Sequence, residues 1–234
     1  MRKAEGATPQ PMPARIQFDR ELRDRVAAGL AAHDAVMQPR EGRKHAAVAF
    51  TLVNQATAPG IANIPFSEEN RDEAAFILTI RAARLSSHAG QRAFPGGRVD
   101  PGEDVIGAAL RELREEVGLA LGPDSVLGRL DDYATRSGYV ISPVVVWGGR
   151  DAVLTPNPDE VARIHRIPLS ELLRDDAPIL EPIPESEHPV LKMPLGDEWV
   201  AAPSAAVSYQ FREVALLGRP TRVAHFEQPY FAWK

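Results

Sequence analysis

The chain has 234 residues, 44% of them hydrophobic and 25% charged, which suits one globular domain with an appendage better than two domains. Its net charge of −5 argues against a nucleic-acid partner, which needs a basic face, yet permits a phosphorylated substrate because a bound cation supplies local positive charge. There is no cysteine, so disulfides and thiolate chemistry are excluded, and no apolar run approaches the roughly 18 residues a membrane span needs.

In chain order, residues 1 to about 16 hold Pro9, Pro11 and Pro13 among small residues and suggest a loose tail. The tail has charges without an apolar run, so no secretory signal is expected and the cytoplasm is the default compartment. Residues 19–33 carry Leu22, Val26 and Leu30 at helical spacing and predict an amphipathic helix. A polar linker follows at 39–44, which makes 1–44 an N-terminal tail and helix ahead of a main domain at 45–234. Residues 46–53 predict a strand entering the core. The polar, Pro- and Gly-containing stretch 54–73 predicts a surface insertion, partly ordered or lining the mouth of a site. Residues 74–81 resume as a buried strand.

Arg81, Arg84 and Arg92 then place fixed positive charge upstream of a glycine turn at Gly96-Gly97, and guanidinium groups suit bidentate contact with phosphate oxygens. His88 suits a hydrogen-bonded loop residue as well as a ligand contact, with no further ligands nearby for a His-bound metal. From Asp104, a plausible N-cap, to Gly118, a plausible C-terminal stop, the pattern is helical. Ile106, Leu110, Leu113 and Val117 form the core-facing stripe, and Glu112, Glu115 and Glu116 fall on a neighbouring arc. Those carboxylates repel one another on a bare helix, but a hard divalent cation such as Mg²⁺ reverses the sign, and Glu103 can fold back as a fourth. A lone Glu-Glu pair on a helix reads as solvated surface; here it stands inside a longer arrangement.

Beyond the helix, residues 125–133 and 140–147 predict two strands joined by turn chemistry at Ser137-Gly138. Residues 155–158 predict a loop, with Asp159-Glu160 and a short strand through Ile167 after it. Glu160 is a candidate base from the loop opposite the helix. A short helix is predicted at 169–173, irregular structure with one strand across the Pro-rich 178–203, and strands at 207–211 and 221–226. Strands and helices in this order imply a sheet covered on both sides.

The stretch 97–119 resembles the Nudix box position for position. Gly97, Glu103, Arg111, Glu112, Leu113, Glu115, Glu116, Gly118 and Leu119 fill its fixed places. The resemblance implies an α/β/α sandwich around a mixed sheet and metal-dependent cleavage of a diphosphate joined to another moiety. It implies Mg²⁺, with Mn²⁺ as a substitute, held by Glu112 and Glu116. Glu115 would be a further ligand or the water-activating base, and Glu103 would support the cluster or hold Arg111. Leu78-Thr-Ile-Arg81-Ala82, Gly90 and Phe94-Pro-Gly-Gly97 further resemble the coenzyme A diphosphatase branch, as do 87–91, Thr135-Arg-Ser-Gly138 and Ser142-Pro-Val144. That branch implies hydrolysis of coenzyme A, or an acyl derivative, to 3′,5′-ADP and 4′-phosphopantetheine or its acyl form. Ser86 stands where the branch has its second Arg, with Arg84 and Arg92 as the alternative cations. Residues 229–234 look short of the closing helix the family fold implies. Two other readings are a Nudix hydrolase of ADP-ribose, NADH or a dinucleoside polyphosphate, and a ligand-sensing module without turnover. The expected partner is a small-molecule diphosphate, with neither nucleic acid nor membrane, on a monomer or homodimer.

Overall fold

The computed structural model describes residues 15–39, 42–82 and 90–233. Helix α1 (Arg20–His33) starts where the Asp19 side chain accepts from the Leu22 N–H, and it buries Leu22, Val26 and Leu30 as the spacing predicts. Strand β1 (Lys44–Asn54) is the spine of the molecule. It is followed by β2 (Ala74–Arg81), β3 (Arg92–Ala93) and β4 (Gly96–Arg98), then by helix α2 (Val105–Val117). Next come β5 (Val126–Arg129), β6 (Tyr133–Ala134), β7 (Tyr139–Gly149) and β8 (Val161–Pro168). These eight strands make one mixed sheet: β1 runs parallel to β7, and the remaining pairings are antiparallel.

Period-2 alternation sorts the residues of β1 between two cores. Ala47 and Ala49 pack with Ala108, Ala109, Leu113 and Val117 of α2. Phe50 and Leu52 face the opposite side, with Leu22 and Val26 of α1 and with Phe76, Phe94 and Phe211. The Phe50 ring lies 4.1 Å from that of Phe211 and 5.0 Å from that of Phe94. Helices therefore cover both faces, and the architecture is α/β/α. The edge of β1 is shared: Leu52–Asn54 pair with β2, whereas Ala46–Val48 pair with β4. The chain forks there, and the functional residues collect at the fork.

The C-terminal quarter departs from the sequence expectation. Residues 178–203 are not irregular but form a second, three-stranded sheet of β9 (Ile179–Ile183), β10 (Ser186–Leu195) and β11 (Glu198–Ala201). The prolines sit where a strand tolerates a missing donor. Pro182 is on the edge strand β9, Pro189 falls in the register break between Ser186 and Val190, and Pro194 lies beyond Lys192, where pairing with β9 ends. The expected strand at 207–211 is helix α3 (Ser204–Phe211), which continues through a π-helical turn to Leu216. Every residue of α3 except Tyr209 is buried, so the segment shows no polar face by which to read a helical period. This helix packs in the core on the α1 side of the sheet. Residues 221–226 form loop and turn, with an isolated bridge at Glu227 and a 3-10 turn at Tyr230–Trp233 beyond them.

The 54–73 stretch closes on itself: the backbone N–H groups of Gln55 and Ala56 donate to the carbonyls of Glu73 and Arg71. Ile61 and Ile64 are buried in the core, and Asn63 donates to Asp197 at 2.6 Å. It is an anchored loop against the second sheet. Helix α1 likewise shares the main core, and the Phe18 ring stacks on Trp147 at 4.0 Å. No helix among the described residues is long and apolar enough to cross a membrane.

Candidate active site

Helix α2 is fixed at both ends by its own sequence. The Asp104 side chain accepts from the Gly107 N–H at 2.7 Å, and Gly118 at φ 72° donates to the Arg114 carbonyl. The loop after it is tied to the last turn: the Thr155 N–H donates to the Val117 carbonyl and the Asn157 N–H to that of Glu116, both at 2.9 Å. The carbonyl of Glu160 in turn accepts from the Ala82 N–H at 2.8 Å. Glu160 is thus clamped between the end of β2 and the end of α2.

These ties bring Glu112, Glu116 and Glu160 together, with a carboxylate oxygen of each within 4.8 Å of the others. Glu116 is only 3% exposed. Burial above all, then the neighbouring Glu112 charge, push its pKa up to about 8, against an opposing pull from Arg81 and with a lesser push from Glu160. Burial likewise raises the pKa of Glu112. Arg81 Nη1 stands 3.9 Å from Glu116, and the Gly96 N–H donates to the same carboxylate at 3.4 Å. Three hard oxygen donors converging on one point, two of them costly to ionise where they sit, are a donor set that fits a divalent cation.

Glu103 does not join this triplet. Its carboxylate takes the Arg111 guanidinium in a fork, at 3.1 Å from Nε and 3.0 Å from Nη2, and that hydrogen bonding holds its pKa below the usual range. Arg111 then reaches Glu112 at 2.8 Å and Glu115 at 3.2 Å through Nη1, and the Arg98 carbonyl at 2.9 Å through Nη2. Glu115 is 44% exposed at its side chain and stands outside the triplet, on the far side of the Arg111 clasp. Gly97 has a steric duty: a Cβ on it would collide with the Glu112 carboxylate.

A cavity of about 750 Å³ opens beside the carboxylates. Arg81, Arg92, Gly96 and Gly97 line it, whereas no residue of 54–73 does. Arg92 is ion-paired with Glu198 of β11. Arg84, Ser86 and His88 lie outside the described residues. The far wall, from Trp199 to Val207 with Gln228 and Ala232, was invisible to sequence reasoning because no spacing rule ties those positions to the box.

A family model of the NUDIX domain matches residues 56–185. An "Uncharacterized Nudix hydrolase NudL" from Photorhabdus laumondii is 46% identical over 98 residues, 42% of this chain and 52% of that protein. A protein of the same description from Yersinia pestis is 42% identical over 104 residues, 44% of this chain and 52% of its own length. The chain therefore spans about half the length of the curated relatives it matches. Among solved structures, a MutT/nudix family protein from Enterococcus faecalis aligns with a TM-score of 0.45 and 16% identity, over 79% of this chain and 64% of that one.

Proposed function

The chain belongs to the Nudix family, and from that premise we propose that it is a Mg²⁺-dependent diphosphatase acting on coenzyme A or its acyl derivatives. The observation that carries this reading is the convergence of Glu112, Glu116 and Glu160 beside a cavity whose near wall holds Arg81 and the glycine turn. A helix face kept for solvation would not bury Glu116 among like charges.

Glu112 and Glu116 would hold the ion, since Mg²⁺ is commonly bound by one or two carboxylates together with substrate phosphates; Mn²⁺ could replace it. When bound, a divalent ion polarises the diphosphate oxygens and lowers the pKa of a water. The chain supplies the rest. Arg81 takes phosphate oxygens at the mouth of the cavity. Arg111, gripped by Glu103, fixes the rotamer of Glu112. Glu160 faces the pair from its loop and accepts the proton of the attacking water. Attack on one phosphorus breaks the anhydride bond, leaving 3′,5′-ADP and 4′-phosphopantetheine from coenzyme A. Support for that substrate comes from the Leu78–Ala82 and Phe94–Gly97 motifs, whose Arg81, Phe94, Gly96 and Gly97 all border the cavity.

The test is a panel of coenzyme A, ADP-ribose, NADH and diadenosine polyphosphates, with Mg²⁺ and with EDTA. Coenzyme A is expected to be cleaved fastest, and EDTA to stop cleavage. Preference for another substrate moves the specificity there; binding without hydrolysis rejects the enzyme.

A further inference from the structure

The cavity has two walls of different origin. One comes from the main sheet, where Val48, Phe94 and Ile141 form an apolar floor. The other comes from β11, α3 and the C-terminal segment, all beyond residue 185, where the family match ends. Whatever the second wall touches is read by a part of the chain the family model does not describe.

Trp199 is the largest side chain in that wall and is 44% exposed. Its surroundings hold it in place. The Lys192 ammonium sits 4.2 Å from the ring centroid, and Lys192 is itself ion-paired with Glu181 of β9. The preceding residue, Glu198, is ion-paired with Arg92 of β3. β11 is thereby joined to both sheets, and the indole is presented at a fixed place on the cavity wall. With an ammonium already over the ring and 44% of the residue exposed, the indole surface left open on a cavity that Arg92 also lines suits a flat heteroaromatic ring carrying polar edge groups better than a flexible aliphatic arm.

We propose that Trp199 stacks on the nucleobase of the substrate, and that the C-terminal sheet is the element selecting for a nucleoside at that end of the diphosphate. The placing of the diphosphate itself rests on the hydrolase reading above. Stacking of a base on an aromatic side chain tolerates many bases, so the preference is for a base over none.

Calorimetric titration of the metal-free protein with AMP and with 4′-phosphopantetheine tests this without turnover. The expected result is AMP binding weakened about tenfold or more by Trp199→Ala, kept within about threefold by Trp199→Phe, which preserves a stacking ring, and phosphopantetheine binding unmoved by either. The proposal is overturned if Trp199→Ala binds AMP as the parent does, if phosphopantetheine is the ligand that weakens, or if the parent binds no AMP. A parent protein that binds AMP through Trp199 yet cleaves no diphosphate upholds the stacking site and rejects the hydrolase instead.

Discussion

Gly97 and Glu112 compete for the same space: the Glu112 carboxylate occupies the volume that a side chain on Gly97 would fill. Gly97 pairs with Ala47 in the sheet, so it cannot retreat without disturbing β1. Gly97→Ala is therefore expected to turn Glu112 away from Glu116 and to weaken Mg²⁺ binding about tenfold to a hundredfold, the scale seen when a ligand loses its orienting neighbour. Calorimetric Mg²⁺ titration checks this, and an unchanged affinity would refute the steric account.

Glu116 links protonation to stability. Its pKa rises from 4.5 to about 8 on folding, so the native state holds the proton more tightly than the unfolded chain does. The stabilisation is complete below about pH 4.5 and is lost as pH climbs through 8. The metal-free protein should lose several kcal/mol across that window. Because a ligating carboxylate must be deprotonated, Mg²⁺ affinity should rise over the same range with release of a proton. Melting curves from pH 5 to 8.5 test both: the parent Tm falls, Glu116→Gln flattens the profile, and saturating Mg²⁺ restores the parent at pH 8. A flat parent profile would refute the shift.

Arg111 holds three glutamates at once, two of them by hydrogen bonds of 3.1 Å or less. Lysine keeps the charge but has no planar fork. Arg111→Lys is expected to lower the rate about tenfold to a hundredfold. Glu103→Gln should have a smaller effect of the same kind, and the double variant should fall short of the summed losses because the two act as one unit. Additive losses would separate them.

Much of this site was legible in one stretch of sequence. The caps of α2, its apolar stripe and the spacing of Glu112 and Glu116 are local properties, and the structure keeps them. Arg81 and the glycine turn were legible for the same reason. What failed was long-range or aperiodic. Glu160 is legible in the sequence as a candidate base on a facing loop but not as a partner of Glu112 and Glu116, because its approach to Glu116 depends on the hydrogen bonds of Ala82 and Asn157. The second sheet was hidden by prolines at an edge, a register break and the end of β10 that has left β9 and pairs with β11 alone. Helix α3 was hidden by burial on nearly every side, which erases the period that distinguishes helix from strand.

Glu160 and Glu115 make a direct contest. The sequence favours Glu115, one of the box acids, as ligand or base; the geometry puts Glu160 in the triplet and leaves Glu115 half in solvent on Arg111. Glu160→Gln is expected to reduce kcat about a hundredfold or more, and Glu115→Gln less than about tenfold. Rates with Mg²⁺ at matched substrate saturation decide it. The reverse order would return the chemistry to the helix alone.

The N-terminal helix is part of the main core. Phe18 is buried against Trp147 with its ring tilted only 8° from parallel, and its carbonyl accepts from Arg150 at 2.8 Å. Truncating a buried phenylalanine costs about 3–5 kcal/mol, and each kcal/mol moves the Tm of a domain of this size by about 2–4 °C. Phe18→Ala should therefore lower the Tm by about 10 °C or more while unfolding remains one cooperative transition. Were α1 an independent appendage, the loss would appear as a separate early transition, with the main Tm unmoved.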